Sequence, residues 1–577
     1  MDGNVMGKQE DFIKDAKDRY KESVDGWSDI YREASDDLKF VYDVDEGQWP
    51  EKMRTDREKD GRPILTVNKL QKFVRQIRGD QMMNRPRIKV IPVDDQADVQ
   101  MAELYDGLIR QIEYLSTAGT TYDTAYMHAI SCSVGFFRLI TKYTDNNTFN
   151  QDIFIKRVIN PFSVHYDPYA VEFTLEDAKY CFIEELIDKK DFKARYPKAE
   201  VSDFDSSSTA TIFGDWMQKD KLRIAEYFYK EPVKKKIVML ETGEVIPVDN
   251  KNTIEAIKAL GGVIVREREA ETPVVKWCKL NGVEVLEESE WPGIDIPIIP
   301  VFGDEIVTDG KRYYLSLARG AKGPQQMYNY WATAATETVA LAPKMPFIVD
   351  HRQIKGFETE WEESNRTNRM FIRYNAIAGL NKPSREPQAQ VPSAIMNMMQ
   401  TTAFDIEDHL GRYEASQGQA SNERSGRAII ARITQSDKGT YTFVDNLTRA
   451  IVAAGRQMID LIPKIYDTPR ALRVMDETGQ ETLVNVNQPT LDGIQNDLSV
   501  GKYDLVAVTG ASFGSKRQEM VEMMIQALQY APALSSIIAP LIFKYSDWPG
   551  SDEIYNEIKK GIEQLQQQAQ IGQGQTL

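Results

Sequence analysis

Apolar positions recur with a helical period in two stretches of similar length, separated by a compact insertion bounded by prolines. In the first, Met327, Trp331, Ala334/Ala335, Thr338 and Ala342 fall on one helical face. Pro324 suits its first turn, where a missing N–H costs nothing, and Pro343 and Pro346 stop it. In the second, Ile395, Met399, Thr402, Ile406 and Leu410 repeat the spacing after Pro392, with Ser393 as N-cap. Each helix is expected to hold roughly 18 residues, about 27 Å at ~1.5 Å per residue. Between them lie two strand-like runs, Pro346-Phe-Ile-Val-Asp350 and Met370-Phe-Ile-Arg-Tyr374. The pattern predicts a small module held at the end of a two-helix stalk. A lone hairpin with one modest apolar face per helix buries too little surface to stand by itself. It packs either inside a larger domain or against the stalks of neighbouring copies, and periodicity leaves both open.

The stalk is an excursion from a body. Residues 1–45 read as a charged amphipathic helix pair, and 67–81, 96–115 and 120–133 as helices. Strands are expected at 87–93, 136–143, 153–159 and 179–186. Further strands follow at 222–229, 235–240, 274–280 and 283–286, with Asn281-Gly282 as a hairpin turn. These make a mixed α+β body to about residue 318. Beyond the stalk, 416–426 is rich in Gly, Ser, Gln and Asn and reads as a loop. A long helix is expected at 427–463, then strands at 472–475, 482–486 and 502–509. Helices at 515–528, within 532–548 and at 552–568 end in a Gln/Gly-rich tail.

Length changes the picture first, since 577 residues exceed a single core and suggest three or four compact units. A formal net charge of −16 argues against a broad basic surface for nucleic acid. Residues 416–465 depart from that balance. They carry Arg424, Arg427, Arg432, Lys438, Arg449, Arg456 and Lys464 against four acidic residues. Arg424 and Arg427 there are either a phosphate contact or part of a solvated helix face with i,i+4 pairing. Cys132, Cys181 and Cys278 are widely spaced and form no metal or redox motif, as expected of buried thiols in a reducing compartment. The first twenty residues are charged and polar, unlike a signal peptide. The longest apolar run, 531–543, holds two prolines and two serines and is too short to span a bilayer. The chain is expected to be soluble when made, with no membrane partner.

Candidate chemistry is sparse. Gly510-Ala-Ser-Phe-Gly514-Ser515-Lys516 departs from a phosphate loop in glycine spacing, and Arg517 stands where a hydroxyl residue would hold magnesium. His128 and Cys132 are i,i+4 on a helix without a second ligand pair, which favours a buried face. His351 and His409 each follow an aspartate, with no nucleophile elbow nearby. Adjacent acids such as Glu184-Glu185 and Glu362-Glu363 point apart in regular structure. The residues define no catalytic site, no metal site and no cofactor, so no enzymatic activity is expected.

Several stretches resemble the portal proteins of short-tailed bacteriophages. They are Arg62-Pro-Ile-Leu-Thr-Val-Asn68, Arg78-Gly-Asp80 and Arg85-Pro-Arg-Ile-Lys-Val90; then Arg319-Gly-Ala-Lys-Gly-Pro-Gln325, leading through Asn329 and Glu337 to Pro343. Ser425-Gly-Arg-Ala428, Asp445-Asn-Leu447, Leu461-Ile-Pro463, Tyr466-Asp467, Lys502-Tyr-Asp504, Lys516-Arg-Gln518 and Asp547-Trp-Pro549 continue the series. No single stretch is diagnostic; their order across almost the whole chain carries the likeness.

The resemblance implies an α+β portal-type fold: a mixed α/β wing with a long helix, a two-helix stem, a small α/β clip and a helical crown. It divides the chain into wing (1–318), first stem helix (319–342), clip (343–392) and second stem helix (393–415). A channel loop (416–426), a long helix back to the wing (427–465), wing strands (466–512) and crown (513–577) follow. A long C-terminal barrel is expected to be absent or reduced to one short helix. The function implied is a ring of twelve subunits at one capsid vertex, through which double-stranded DNA is packed and later ejected. Partners implied are the terminase large subunit, a head–tail adaptor, and the major capsid and scaffolding proteins. Carried onto this sequence, Glu423, Arg424, Arg427 and Arg432 are channel candidates. Phe347, Ile348, Arg352, Arg369, Phe371 and Arg373 are clip docking candidates, and Met327, Trp331, Met399 and Ile406 pack the stem. Acidity suits a conduit, since twelve copies would carry roughly −190 and discourage DNA from sticking. Alternatives are another ring-forming head or head–tail connector, or a terminase-like enzyme, which would need the phosphate loop and acidic metal cluster missing above.

Overall fold

The computed structural model describes residues 3–83, 85–93, 98–204, 221–241, 245–248, 263–340, 347–364, 366–367, 370–385, 392–410, 441–475, 481–490, 493–508, 514–530, 535–545, 554, 555, 557, 558 and 561. Helix and antiparallel sheet are mixed, in the α+β manner. The chain divides into two compact units, one of residues 1–38, 74–317 and 413–577, the other of 39–73 and 318–412.

In the first unit, a six-stranded antiparallel sheet orders Val164–Tyr166, Tyr180–Asp188, Lys221–Leu240, Ile264–Leu280 and Val285–Trp291, with Val245–Val248 added to the far half of Lys221–Leu240. The two strands expected at 222–229 and 235–240 are one continuous strand. Its partner, expected from 274, already starts at Ile264. Pro232 lies directly opposite Pro273, so both missing N–H groups fall at one position of the ladder.

One helix, Gly3–Tyr42, replaces the expected pair. The near-helical spacing of Ile13, Ala16, Tyr20, Ser23, Trp27, Tyr31 and Ala34, all buried, keeps one face against the sheet throughout. Gly26 lies within it because a Cβ there would stand 2.5 Å from Pro168 Cβ. The helix also covers the sheet's edge. Tyr31 Oη donates to Val164 O, while Ser23 Oγ (2.5 Å) and Trp27 Nε1 (3.1 Å) donate to Tyr166 O. Outward carbonyls that would invite another chain are thereby satisfied.

A second sheet orders Ile298–Phe302, Val134–Tyr143 and Gln151–Arg157. Every residue of Ile298–Phe302 is buried, and Phe302 stacks on Tyr314 at 4.0 Å between ring centroids. The helix Tyr441–Ile465 packs on this strand, and Asn446 Nδ2 donates to Phe302 O (3.1 Å) and Gly303 O (2.9 Å). Arg87–Pro92 pairs antiparallel with Tyr503–Val508, so a late segment of the chain closes on an early one.

The half-buried Glu184 and the buried His128 of this unit bear on its stability. Glu184 is held by His165 Nε2 (2.8 Å), by the Tyr20 hydroxyl and by Arg223, whose Nε stands 3.4 Å away. Burial alone would raise the Glu184 carboxyl, but the His165 hydrogen bond, with the charges of His165 and Arg223, outweighs it and holds the group below its usual range. His128 has no such partner, and burial pushes its imidazole down from 6.5 to about 4. Cys132 is buried one turn away, and the described residues contain no cluster of three or more His, Cys, Asp or Glu suited to a metal.

Candidate assembly surface

The second unit is organised on the helix Lys322–Ala340, against which the helix Ser393–His409 packs. The apolar spacing had marked Met327 and Trp331 as its packing face. Within one chain, however, the fully buried side chains are polar: Gln325, Asn329 and Thr333. Met327 remains 43% exposed, and Trp331 is half-buried. On the second helix Ile406 and Thr402 are buried, and Met399 is partly so.

The buried polar stripe takes up an extended piece of main chain. Helix had been expected from residue 67, but it begins at Leu70, and the preceding residues run along Lys322–Ala340. Lys69 N donates to Gln325 Oε1 (3.1 Å), Val67 N to Asn329 Oδ1 (3.0 Å) and Leu65 N to Thr333 Oγ1 (3.1 Å). Gln325 Nε2 returns a bond to Val67 O (2.9 Å), and Asn329 Nδ2 reaches the buried Gln48 Oε1 (2.9 Å). Gln48 Nε2 then donates to Phe40 O at 3.0 Å. One turn beyond Thr333, Glu337 receives Arg62 Nε (2.6 Å) and Arg57 Nη1 (3.2 Å). Hydrogen bonding from Arg62, then Arg57, keeps that carboxyl below its usual value. Helix side chains at i, i+4 and i+8 thus do what a neighbouring strand does elsewhere. Sequence reasoning missed this because a polar stripe reads as a solvated face; the available signal was three neutral hydrogen-bonding residues in a row at that spacing.

Residues 347–385 form the module between the helices. Phe347–Ile348 pairs with Ser384–Arg385 in a two-residue ladder. Asp350 caps the helix His351–Ile354 in a capping box with Gln353. Arg352 grips Asp350 through Nε (3.0 Å) and Nη2 (2.7 Å), and this hydrogen bonding holds the carboxyl down at about 2. Trp361, which the sequence did not single out, joins two of the clip candidates. Its ring meets Phe347 edge-on at 4.9 Å, and its Nε1 donates to Arg373 O at 2.8 Å. The Arg373 side chain pairs with Glu360 and lies over Phe357. Ile348 and Phe371 are 58% and 75% exposed. The strand expected at 370–374 does not form in the single chain.

Arg369 lies outside the described residues, as do the channel candidates Glu423, Arg424, Arg427 and Arg432, the loop expected at 416–426 and the Gly-rich run 510–513. The long helix is described from Tyr441 to Ile465, and its expected first part, 427–440, lies outside the described residues.

The second unit leaves large apolar side chains in water on both helices and on the module. Val339, Met396, Phe404, Met370, Phe371 and Tyr374 are all exposed. Such a concentration marks a surface made for other protein. Among the described residues, no helix is long and apolar enough to cross a membrane. The helix pair and its module thus carry apolar surface of the kind other protein covers in an assembly.

Comparison with known families fits such an assembly. The phage P22-like portal protein family matches residues 17–577, so the chain belongs to that family. It is also 24% identical, over 496 residues, to a protein described as a portal protein of Acyrthosiphon pisum secondary endosymbiont phage 1. The match covers 81% of this chain and 68% of that relative. Portal proteins are structural components of the phage capsid that associate as oligomeric rings.

Proposed function

We propose that the chain forms a ring of twelve at one capsid vertex, whose lumen passes double-stranded DNA into and out of the head without reading its sequence. The observation that supports this reading is the exposed apolar surface on both helices of the second unit, within a family of portals. Residues 319–342 and 393–415 act as the stem, where Met327, Trp331, Met399 and Ile406 pack. Residues 343–392 act as the clip, meeting the terminase large subunit and later the head–tail adaptor through Phe347, Ile348, Arg352, Arg369, Phe371 and Arg373. The channel loop is 416–426, and Glu423, Arg424, Arg427 and Arg432 face the lumen, where basic side chains touch phosphates transiently. Residues 1–318 and 466–512 make the wing, the long helix 427–465 links it to the channel, and 513–577 make the crown; the ring meets the major capsid and scaffolding proteins. Nothing in this role needs a catalytic group or a cofactor.

Mass photometry of the purified protein, with negative-stain images, tests the reading. Twelve chains of 65.8 kDa give about 790 kDa and rings with a central hole. A monomer or dimer that persists across concentration and salt overturns it.

A further inference from the structure

We propose that ordered water binds in a buried seam between the end of the helix Leu70–Met83 and the helix Ala118–Cys132, held by Gln81 and Asp123 with Arg78 at its border. The inference concerns side chains of one chain in the first unit and is independent of the ring reading above.

Two direct contacts bring these segments together. Arg78 Nη1 reaches Met127 Sδ at 3.7 Å. Arg85, just past the end of the first helix, donates through Nη2 to Asp123 Oδ2 at 2.8 Å. Gly119 also lies beside the Arg85 guanidinium, with which any side chain there would collide. From Arg78 to Arg85, therefore, the chain passes Met127 first and Asp123 and Gly119 afterwards. Gln81 is one turn on from Arg78, between the two contacts, and buried, so it falls at the level of the turn that carries Asp123.

The polar atoms at this level are buried without protein partners. Gln81 is 2% and Asp123 4% exposed. Among the described residues, neither amide atom of Gln81 has a hydrogen-bond partner, and nor does Asp123 Oδ1, whose companion Oδ2 is the atom paired with Arg85. Arg78 Nε is buried and unpaired as well, and the sulfur beside its Nη1 is a weak acceptor. Leaving such groups dry is costly, and in folded proteins nearly all of them are bonded to protein or to ordered water. The unpaired set also selects the ligand. It combines donors, Gln81 Nε2 and Arg78 Nε, with acceptors, Gln81 Oε1 and Asp123 Oδ1. Water donates and accepts, and a buried water takes about two to four such bonds. A chloride or phosphate would lie against the two acceptors, and a metal cation against Arg78.

The test uses the full-length protein and turns on a sign. Gln81→Met keeps the length of the side chain and removes both polar atoms. With water in the seam, the variant strips partners from that water, and the unfolding constant from urea titration at pH 7 is expected to rise about fivefold. In a dry seam the same variant removes an unsatisfied amide, so an unchanged or lowered unfolding constant overturns the inference. A cycle with Asp123→Ala is the second reading. The loss of the Arg85 pair cancels in the cycle, and a shared water is expected to leave a coupling of at least about threefold in the unfolding constant. Effects that multiply to within about twofold overturn it. Stability that rises with chloride or phosphate in the wild type and not in Gln81→Met assigns the site to an anion, which also overturns it. Should the variants fail to fold, a cryo-electron microscopy map of the wild type that resolves waters decides the matter. Density within about 3.2 Å of polar atoms of both Gln81 and Asp123 is the expected result. An empty seam, or a direct bond between the two side chains, overturns the inference.

Discussion

His128 sits on the helix Ala118–Cys132 with its imidazole buried and Nδ1 unpartnered among the described residues. Because its folded value is about 4 and its ordinary one 6.5, the unfolded chain takes up the proton first as pH falls. Stability is therefore full above about pH 6.5 and declines toward pH 4, by on the order of 3 kcal/mol. His128→Leu is expected to flatten that part of the profile, read as the urea midpoint at pH 7 and pH 5. Glu184 works in a lower window: a depressed carboxylate keeps its contribution above the unfolded value and loses it as pH falls through the folded one. Asn329 is a sharper case. Asn329→Leu strips a buried partner from both Val67 N and Gln48 Oε1, and is expected to cost about 2–3 kcal/mol. Hydrogen exchange at Leu65, Val67 and Lys69 would show the loss locally. At this scale the sequence was least legible. Gln325, Asn329 and Thr333 have the side chains of a solvent face, and only the fold reveals that main chain takes the place of water.

Among the elements, most helices and strands were legible from periodicity. The exceptions have physical causes. The N-terminal segment was read as two helices, whereas it is one, and the glycine inside it, Gly26, is required by close packing on Pro168. Residues 67–69 were read as the start of the helix whose Leu70, Val74 and Ile77 share one side, but the backbone N–H groups of Val67 and Lys69 found side-chain acceptors first. The run 370–374, expected as a strand, belongs to no ladder among the described residues. The hairpin Lys221–Leu240/Ile264–Leu280 divides into a half with buried Leu222, Ile224, Tyr227, Cys278 and Leu280 and a half dominated by exposed charge, such as Lys234 paired with Glu271. Replacing 232–273 with a two-residue Asn-Gly turn is expected to leave the melting temperature within about 3 °C, measured by calorimetry.

For the whole molecule, the resemblance read from scattered short stretches led to the same family as the match over residues 17–577. Charge is the property most relevant to a conduit. With −16 per chain, the outer surface is expected to bind duplex DNA weakly in mobility-shift measurements and more weakly still as salt rises. Arg424→Ala with Arg427→Ala is expected to alter packaged genome length at unchanged ring mass. A change in mass would instead give those residues an assembly role.

The polar stripe on Lys322–Ala340 also behaves as a vernier. Its rungs recur every four helical residues, about 6.0 Å, while alternate residues of an extended chain recur every ~6.6–6.8 Å. The two scales drift apart by about 0.6–0.8 Å per rung, and by the fourth position the misfit is about 2 Å. The fourth rung, Glu337, would meet residue 63, which is proline and has no N–H to offer. There the protein stops using backbone, and the long side chains of Arg57 and Arg62 reach Glu337 instead. One rung the other way, Ala321 has no polar side chain, and residue 71 is already helical. The two scales are read against each other only where they still agree, so the alignment of extended chain on helix has a single setting.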